Sequence, residues 1–412
     1  MADIPRFPFT VTEHVFDGQH IREYPNATVK QESPVKLVVK KYTPIDNPTP
    51  RPGDVTIIGA HGCGFPKEVY EPLWEELLAR SRQDSYRIRS IWIADVANLG
   101  ASGVENEKNL GNDQASWFDH SRDLLYMINK FRDEMPRPIV GVGHSMGAGQ
   151  LVLLSLLHPR LFTSLSLIEP VLAPDILTGQ GPILTIVTLK RPDTWKSRAE
   201  AIEAAQKMYK RWDNRVLERW ILYAYRDLPT ISSVSQADQV DRPVTLTSSK
   251  YQEVLQYLRP NPHGHQPVGQ EGLHGGPPHD PLLYPDIIGP SHATSPFYRY
   301  DAILAWRLLK HVRPPIYYLL GKSSPFSRPE AREKVLNRTG TGIGGSGGVK
   351  ASRVKQEVIK GTHQLPLEKV AETAASVGPW IGQSIQTWKE DEARIAEGSF
   401  AEKLKIFGLD FY

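Results

Sequence analysis

The sequence predicts an α/β fold: a mostly parallel central sheet, helices on both faces and one large insertion. Three observations predict it. Short β-branched or apolar runs alternate with longer stretches at helical spacing, the alternation stops after Pro170, and it resumes at Ile316.

Each element follows in chain order. Phe9 to Val15 and Lys36 to Tyr42 read as strands, and a Pro-rich turn from Pro44 to Pro52 leads into a third at Val55 to Gly59. The first helix is expected over Val69 to Arg82, where Val69, Leu73, Trp74, Leu77 and Leu78 fall at helical spacing. Arg87 to Ala94 is again strand-like. A helix from about Ser116 to Glu134, a strand Ile139 to Val142, a helix Met146 to Leu157 and a strand Leu165 to Ile168 complete the first run. Amphipathic stretches such as Trp195 to Tyr225, then a Pro/Gly/His-rich tract from Pro260 to Pro296, read as a cap. The core pattern returns with strand Ile316 to Leu320, a helix from Pro329 to about Asn337, a glycine-rich loop Gly340 to Gly348, strand Val354 to Ile359 and a terminal helix beginning near Leu367. The expected partition is therefore core over residues 1–174, cap over 175–312 and core again over 313–412.

Bulk properties exclude several functions. A net charge of +3 is the small remainder of 49 basic and 46 acidic residues, which gives no electrostatic case for nucleic acid or a membrane surface. One cysteine, Cys63, rules out an internal disulfide framework and suits a reducing compartment. No apolar run is long enough to span a bilayer, and the N-terminal residues do not read as a secretory signal. Leu409-Asp410-Phe411-Tyr412 is not a peroxisomal address, so an intracellular, cytoplasmic location is expected. The oligomeric state is open, a homodimer included.

The sharpest motif is Gly143-His144-Ser145-Met146-Gly147, a G-x-S-x-G pattern directly after an apolar strand and directly before a helix. Such a tight turn crowds its neighbours, so glycines flank the serine, whose hydroxyl stands clear at the strand's carboxyl end. This is the nucleophile elbow of the α/β-hydrolase fold. A serine hydroxyl needs a general base, expected on the loop after the last strand, and His363 lies there in Gly361-Thr362-His363-Gln364. The usual place for the orienting acid is the loop after Ile316 to Leu320, but Gly321 to Ser327 holds no carboxylate. Glu169, at the end of the preceding core strand, is the choice, with Asp175 as the alternative. The oxyanion is expected to be bound by the amides of Met146 and Cys63, and Gly62, Gly64, Phe65 and His144 are expected to contact substrate.

Other candidates are weaker. Cys63 lacks an activating base, His61 reads as a structural loop histidine and Asp95 as a turn carboxylate. His263, His265, His274, His279 and His292 crowd the cap tract without the regular spacing of a metal site, so no metal and no cofactor is expected. Gly340-Thr341-Gly342-Ile343-Gly344-Gly345 satisfies G-x-G-x-x-G but precedes a strand rather than a helix, so it reads as a flexible loop. Its functional version would place amides, Lys350 and Arg353 on a phosphate such as that of coenzyme A. The cap aromatics Trp195, Trp212, Trp220, Tyr223 and Tyr225 read as packing before pocket lining.

His61 to Leu77, Asn98 to Gly103 with Trp117 to Asp123, the elbow at Ser145, Ile168-Glu169-Pro170 and the glycine-rich loop together resemble fungal α/β hydrolases of toxin and polyketide biosynthesis. That group includes a peroxisomal acyl-CoA hydrolase of mycophenolic acid biosynthesis and a yeast peroxisomal lipase. Two departures stand out: Gly62-Cys63 where the group more often has Ala-Asn, and the missing peroxisomal tripeptide. The resemblance implies an acid after the strand that follows the nucleophile helix, which favours Glu169. It also implies a small-molecule acyl substrate, a coenzyme A thioester or polyketide. The expected function is a serine hydrolase of secondary metabolism acting on an ester or thioester through Ser145, His363 and Glu169. The alternatives are acyl transfer or cyclisation on the same residues, or a non-catalytic metabolite binder on this scaffold.

Overall fold

A computed structural model describes residues 7–113, 115–174, 180–230, 242–260, 282, 285–286 and 297–397. Six strands form in the first run: β1 (Phe9–Asp17), β2 (Lys36–Pro44), β3 (Val55–Ala60), β4 (Ile88–Ala94), β5 (Ile139–His144) and β6 (Ser164–Ile168). With β12 (Ile316–Gly321) and β13 (Val354–Ile359) they make one eight-stranded sheet in the order β1-β2-β4-β3-β5-β6-β12-β13. From β4 to β13 every neighbouring pair is parallel, while β1 and β2 add an antiparallel edge. The central strands are buried along their whole length, which is why they read as continuous apolar runs. β13 is an edge, and its Lys355, Gln356 and Glu357 are exposed accordingly.

Helices cover both faces. On one side lie α3 (Trp117–Lys130) and α4 (Met146–Leu157), the latter apolar on all faces, with Leu151 to Leu154 fully buried. On the other side α1 (Glu71–Ser81) packs against the terminal helix Val370–Glu397. The elements match the sequence reading to within a few residues, and α4 has the expected bounds. In the first core run the helix α2 (Gly100–Asn106) was not expected.

Between β6 and β12 the structure holds the helices α5 (Gln180–Lys190), α6 (Arg198–Met208), α7 (Asn214–Tyr223), α8 (Lys250–Tyr257) and Tyr300–Leu308. Trp195 to Tyr225 is thus two helices separated by a turn. Short strands β7 (Thr194–Trp195), β8 (Tyr225–Asp227) and β9 (Val244–Leu246) pair in the order β7-β9-β8, and β10 (Arg259–Pro260) pairs with β11 (Phe297–Tyr298). Salt bridges bind this region to the core: Arg219 of α7 reaches Glu71 at 2.7 Å, and Glu71 accepts from the Tyr42 hydroxyl at 3.0 Å.

Ladder register decides which side chains meet. His144 pairs with Ile168, Ile168 with Leu319, and Gly321 with Ile359, so the chain leaves β5, β6, β12 and β13 side by side at one edge. In parallel sheets that carboxyl edge is where ligands bind. The glycine-rich loop leads into β13 and lies at the opposite edge. Its amides are engaged, Gly340 donating to Leu309 O, Gly342 to Lys310 O and Ser346 to Val312 O. The expected flexible loop is therefore a hydrogen-bonded turn.

Candidate active site

Ser145 stands between β5 and α4 with φ 55° and ψ −118°, a strained conformation for a residue with a side chain. Backbone bonds hold it: its N–H donates to Ile168 O at 2.9 Å, and its carbonyl accepts from Val171 N at 3.2 Å. The flanking glycines are steric necessities. A Cβ on Gly147 would lie 2.3 Å from Ala60 O, and one on Gly143 would lie 2.7 Å from Ala148 Cα.

His363 reaches the elbow from the loop after β13, with Nε2 2.8 Å from Ser145 Oγ. Its Nδ1 lies 3.0 Å from Glu169 Oε2. Glu169 is 1% exposed and sits at the end of β6 with φ 50°. Its carboxylate is saturated with donors: Oε1 accepts from Gly321 N and from Ser327 Oγ at 3.0 Å, and Oε2 accepts from Ser324 Oγ as well as from the imidazole. The loop that carries no carboxylate thus supplies an amide and two hydroxyls to a carboxylate from the neighbouring strand. Such hydrogen bonds hold a buried carboxylate in one orientation. Asp175 and the five cap histidines lie outside the described residues.

The loop after β3 lies across from the elbow. Cys63 lines the cleft and is buried; burial pushes its thiol well above the ordinary range, which disfavours it as a nucleophile. Its Sγ contacts Glu253 O at 3.5 Å, so α8 braces this loop. His61 is fully buried, accepts from Val96 N at 3.0 Å, and is pushed down by burial. Asp95 is likewise structural, binding Lys67 Nζ at 2.7 Å and the amides of Lys67 and Ala101.

Three expected substrate contacts fall elsewhere. His144 is 1% exposed and does not line the cleft. Its Nε2–H donates to His363 O at 2.8 Å, and its Nδ1 accepts from Tyr70 OH at 2.7 Å, which in turn accepts from Gly62 N at 2.7 Å. Desolvation, with a smaller contribution from His363, pushes its pKa down to about 3, so it is neutral. His144 and Tyr70 thereby tie the loop after β3 to the backbone of His363. Gly62 is committed to that chain, and the space beside Gly64 is filled by the Glu253 carboxylate. Neither glycine lines the cleft, whereas Phe65, Met146, Ser145 and His363 do. The cleft has a volume of about 120 Å³. Sequence reasoning missed Tyr70, Ser324 and Ser327, since no spacing marks a hydroxyl as the partner of a distant residue.

A parallel sheet with a strained serine at its elbow and a histidine within hydrogen-bond reach defines the class, and comparison agrees. The alpha/beta hydrolase family model matches residues 57–376, and the chain belongs to that family. It is similar to the type I acyl-CoA thioesterases mpaH of Penicillium roqueforti and Penicillium brevicompactum, each 40% identical over 94% of this chain and 91% of theirs. The abhydrolase domain-containing protein ACTT2-1 of Alternaria alternata is 29% identical over 60% of this chain and 84% of its own. Among solved structures, the peroxisomal alpha-beta-hydrolase Lpx1 of Saccharomyces cerevisiae shares the fold with a TM-score of 0.68, at 20% identity over 92% of this chain and 90% of that one. The expected likeness to fungal hydrolases therefore holds. Among the described residues no helix is long and apolar enough to cross a membrane, and no group of histidine, cysteine and acidic residues is arranged to hold a metal.

Proposed function

We propose that this hydrolase cleaves an acyl thioester, with Ser145 as nucleophile, His363 as general base and acid, and Glu169 as the orienting carboxylate. The observation that carries the reading is the relay of 2.8 Å and 3.0 Å from serine through imidazole to a buried carboxylate. Ser145 Oγ attacks the acyl carbon while His363 Nε2 takes its proton. The oxyanion is received by the amides of Met146 and Cys63, and Glu169 balances the imidazolium. Collapse expels the thiol, which leaves with the proton from His363. Water, deprotonated in turn by His363, then releases the acid and regenerates the serine. The name of the Penicillium relatives supports a coenzyme A thioester as the leaving form. A pure binding role would give no reason to keep all three groups in register.

A fluorophosphonate probe is expected to label the wild type and not Ser145→Ala, and acyl-CoA thioesters are expected to be turned over in preference to simple esters and lactones. Equal labelling of the two proteins would refute the nucleophile. Glu169→Gln is expected to lower kcat by about 10⁴-fold. Full turnover in that variant, with loss in Asp175→Asn, would move the acid to Asp175.

A further inference from the structure

A second hollow lies beside the cleft, between β12 and the helix Pro329–Arg338. It has a volume of about 260 Å³, against about 120 Å³ for the cleft. Tyr318 and Leu320 of β12, 1% and 5% exposed, form its floor, and Leu172, Trp306 and Val335 form its sides. The helix over it explains the space. A helix against a sheet ordinarily buries an apolar stripe, yet none of the residues of Pro329–Arg338 is buried, so it covers the hollow without filling it.

The partition between the two spaces is thin. Among the described residues, Phe326 alone lines both. Beside it the segment after β6 alternates: Val171 lines the cleft, while Pro170 and Leu172 line the hollow. The N–H of Val171 donates to Ser145 O at 3.2 Å, so the partition begins at the nucleophile itself. The Phe326 ring lies against His363 with centres 4.4 Å apart and is only half-buried, so it is not locked inside a packed core.

Size sets what each space holds. A cavity of roughly 150 Å³ takes one benzene ring, so the cleft holds the reacting carbonyl and only a few carbons beyond it. Charge does not select the occupant of the hollow: Arg328, Glu330 and Lys334 stand exposed at its rim, and Arg332 is spent on the carbonyls of Ser327 and Gly321. The interior is apolar and aromatic, which suits hydrocarbon. We propose that the hollow is a subsite for the distal part of an apolar acyl chain, which runs from Ser145 past Phe326 and Val171 into it. The enzyme is then selective for acyl groups too long for the cleft alone. This rests on the thioesterase reading only for the bond that is cleaved.

Free carboxylic acids test the subsite without turnover. Calorimetric titration of hexanoic, octanoic, decanoic and dodecanoic acids into the wild type is expected to show affinity rising by up to about fourfold per added methylene, and by more than tenfold across the series. Ala331→Trp sets an indole into the hollow from an exposed position on the covering helix, and Leu172→Trp does so from another wall. Each is expected to cut the advantage of dodecanoic over hexanoic acid by tenfold or more, with hexanoic acid still bound. Should Leu172→Trp not fold, Ala331→Trp decides, because its side chain starts outside the core. An advantage that persists in Ala331→Trp, short and long acids weakened alike, or a wild type that binds none of the acids or all of them equally would overturn the proposal. If the long acids bind as expected but no acyl-CoA is hydrolysed, the thioesterase reading fails and the subsite stands.

Discussion

At the scale of single residues, His144 shows how a group beside the nucleophile can serve the site without touching substrate. Its position next to Ser145 suggested a contact in the cleft, yet both ring nitrogens are spent joining Tyr70 to the carbonyl of His363. Because burial holds its folded pKa near 3, against about 6.5 when unfolded, the unfolded chain takes up a proton here that the folded chain refuses. The stability this represents is fully present above pH 6.5 and is lost as pH falls towards 3. Between pH 6.5 and 4 the loss is roughly 3 kcal/mol, at 1.4 kcal/mol per unit. His144→Gln removes this titration, so its urea midpoint should fall less steeply with acid than that of the wild type. Parallel curves would contradict the assignment of that slope to His144. The same variant should lower kcat, since the loop bearing His363 loses a tether.

At the scale of elements, α7 shows packing and site support acting together. Trp220 is 3% exposed and meets Tyr209, Trp212 and Phe65 at ring-centre distances of 4.9, 5.7 and 6.4 Å, while its Nε1–H donates to Tyr225 OH. The reading as packing holds for Trp212, Trp220 and Tyr225, whereas Tyr223 is exposed; Trp212 and Trp220 also back Phe65, which lines the cleft. Trp220→Ala should cost about 3 to 5 kcal/mol and raise KM as Phe65 loses its support. An unchanged denaturation midpoint would count against this account. What could be read from sequence follows the same physics. β5 and α4 were plain because a buried strand and an all-apolar helix write themselves as unbroken apolar runs. α2, with the sequence Gly100-Ala101-Ser102-Gly103-Val104-Glu105-Asn106, has no apolar stripe; it is held instead by Asp95 and by Asn106 bonds to Lys36 and Ala97. β7, β8 and β9 are two or three residues long and exist only because they pair, which no local pattern encodes. Glu169 was legible as a carboxylate at a strand end; Ser324 and Ser327 were not, since serines in a loop carry no sign of a partner over 150 residues away.

At the scale of the whole molecule, the sheet keeps its two edges apart. The glycine-rich turn enters β13, and His363 follows its exit, so the six-residue strand separates them by roughly 20 Å. Lys350→Ala and Arg353→Ala should therefore leave KM for an acyl-CoA unchanged; a severalfold rise would bring the far edge into the binding site. The near edge has a different consequence. Glu169 and the loop Gly321 to Ser327 face the same imidazole from adjacent strand ends. A descendant that gained an aspartate at Ser324 would have two claimants for one histidine, sharing a proton until either was lost. The acid could thus migrate between strands through a lineage in which no ancestor ever lacked one.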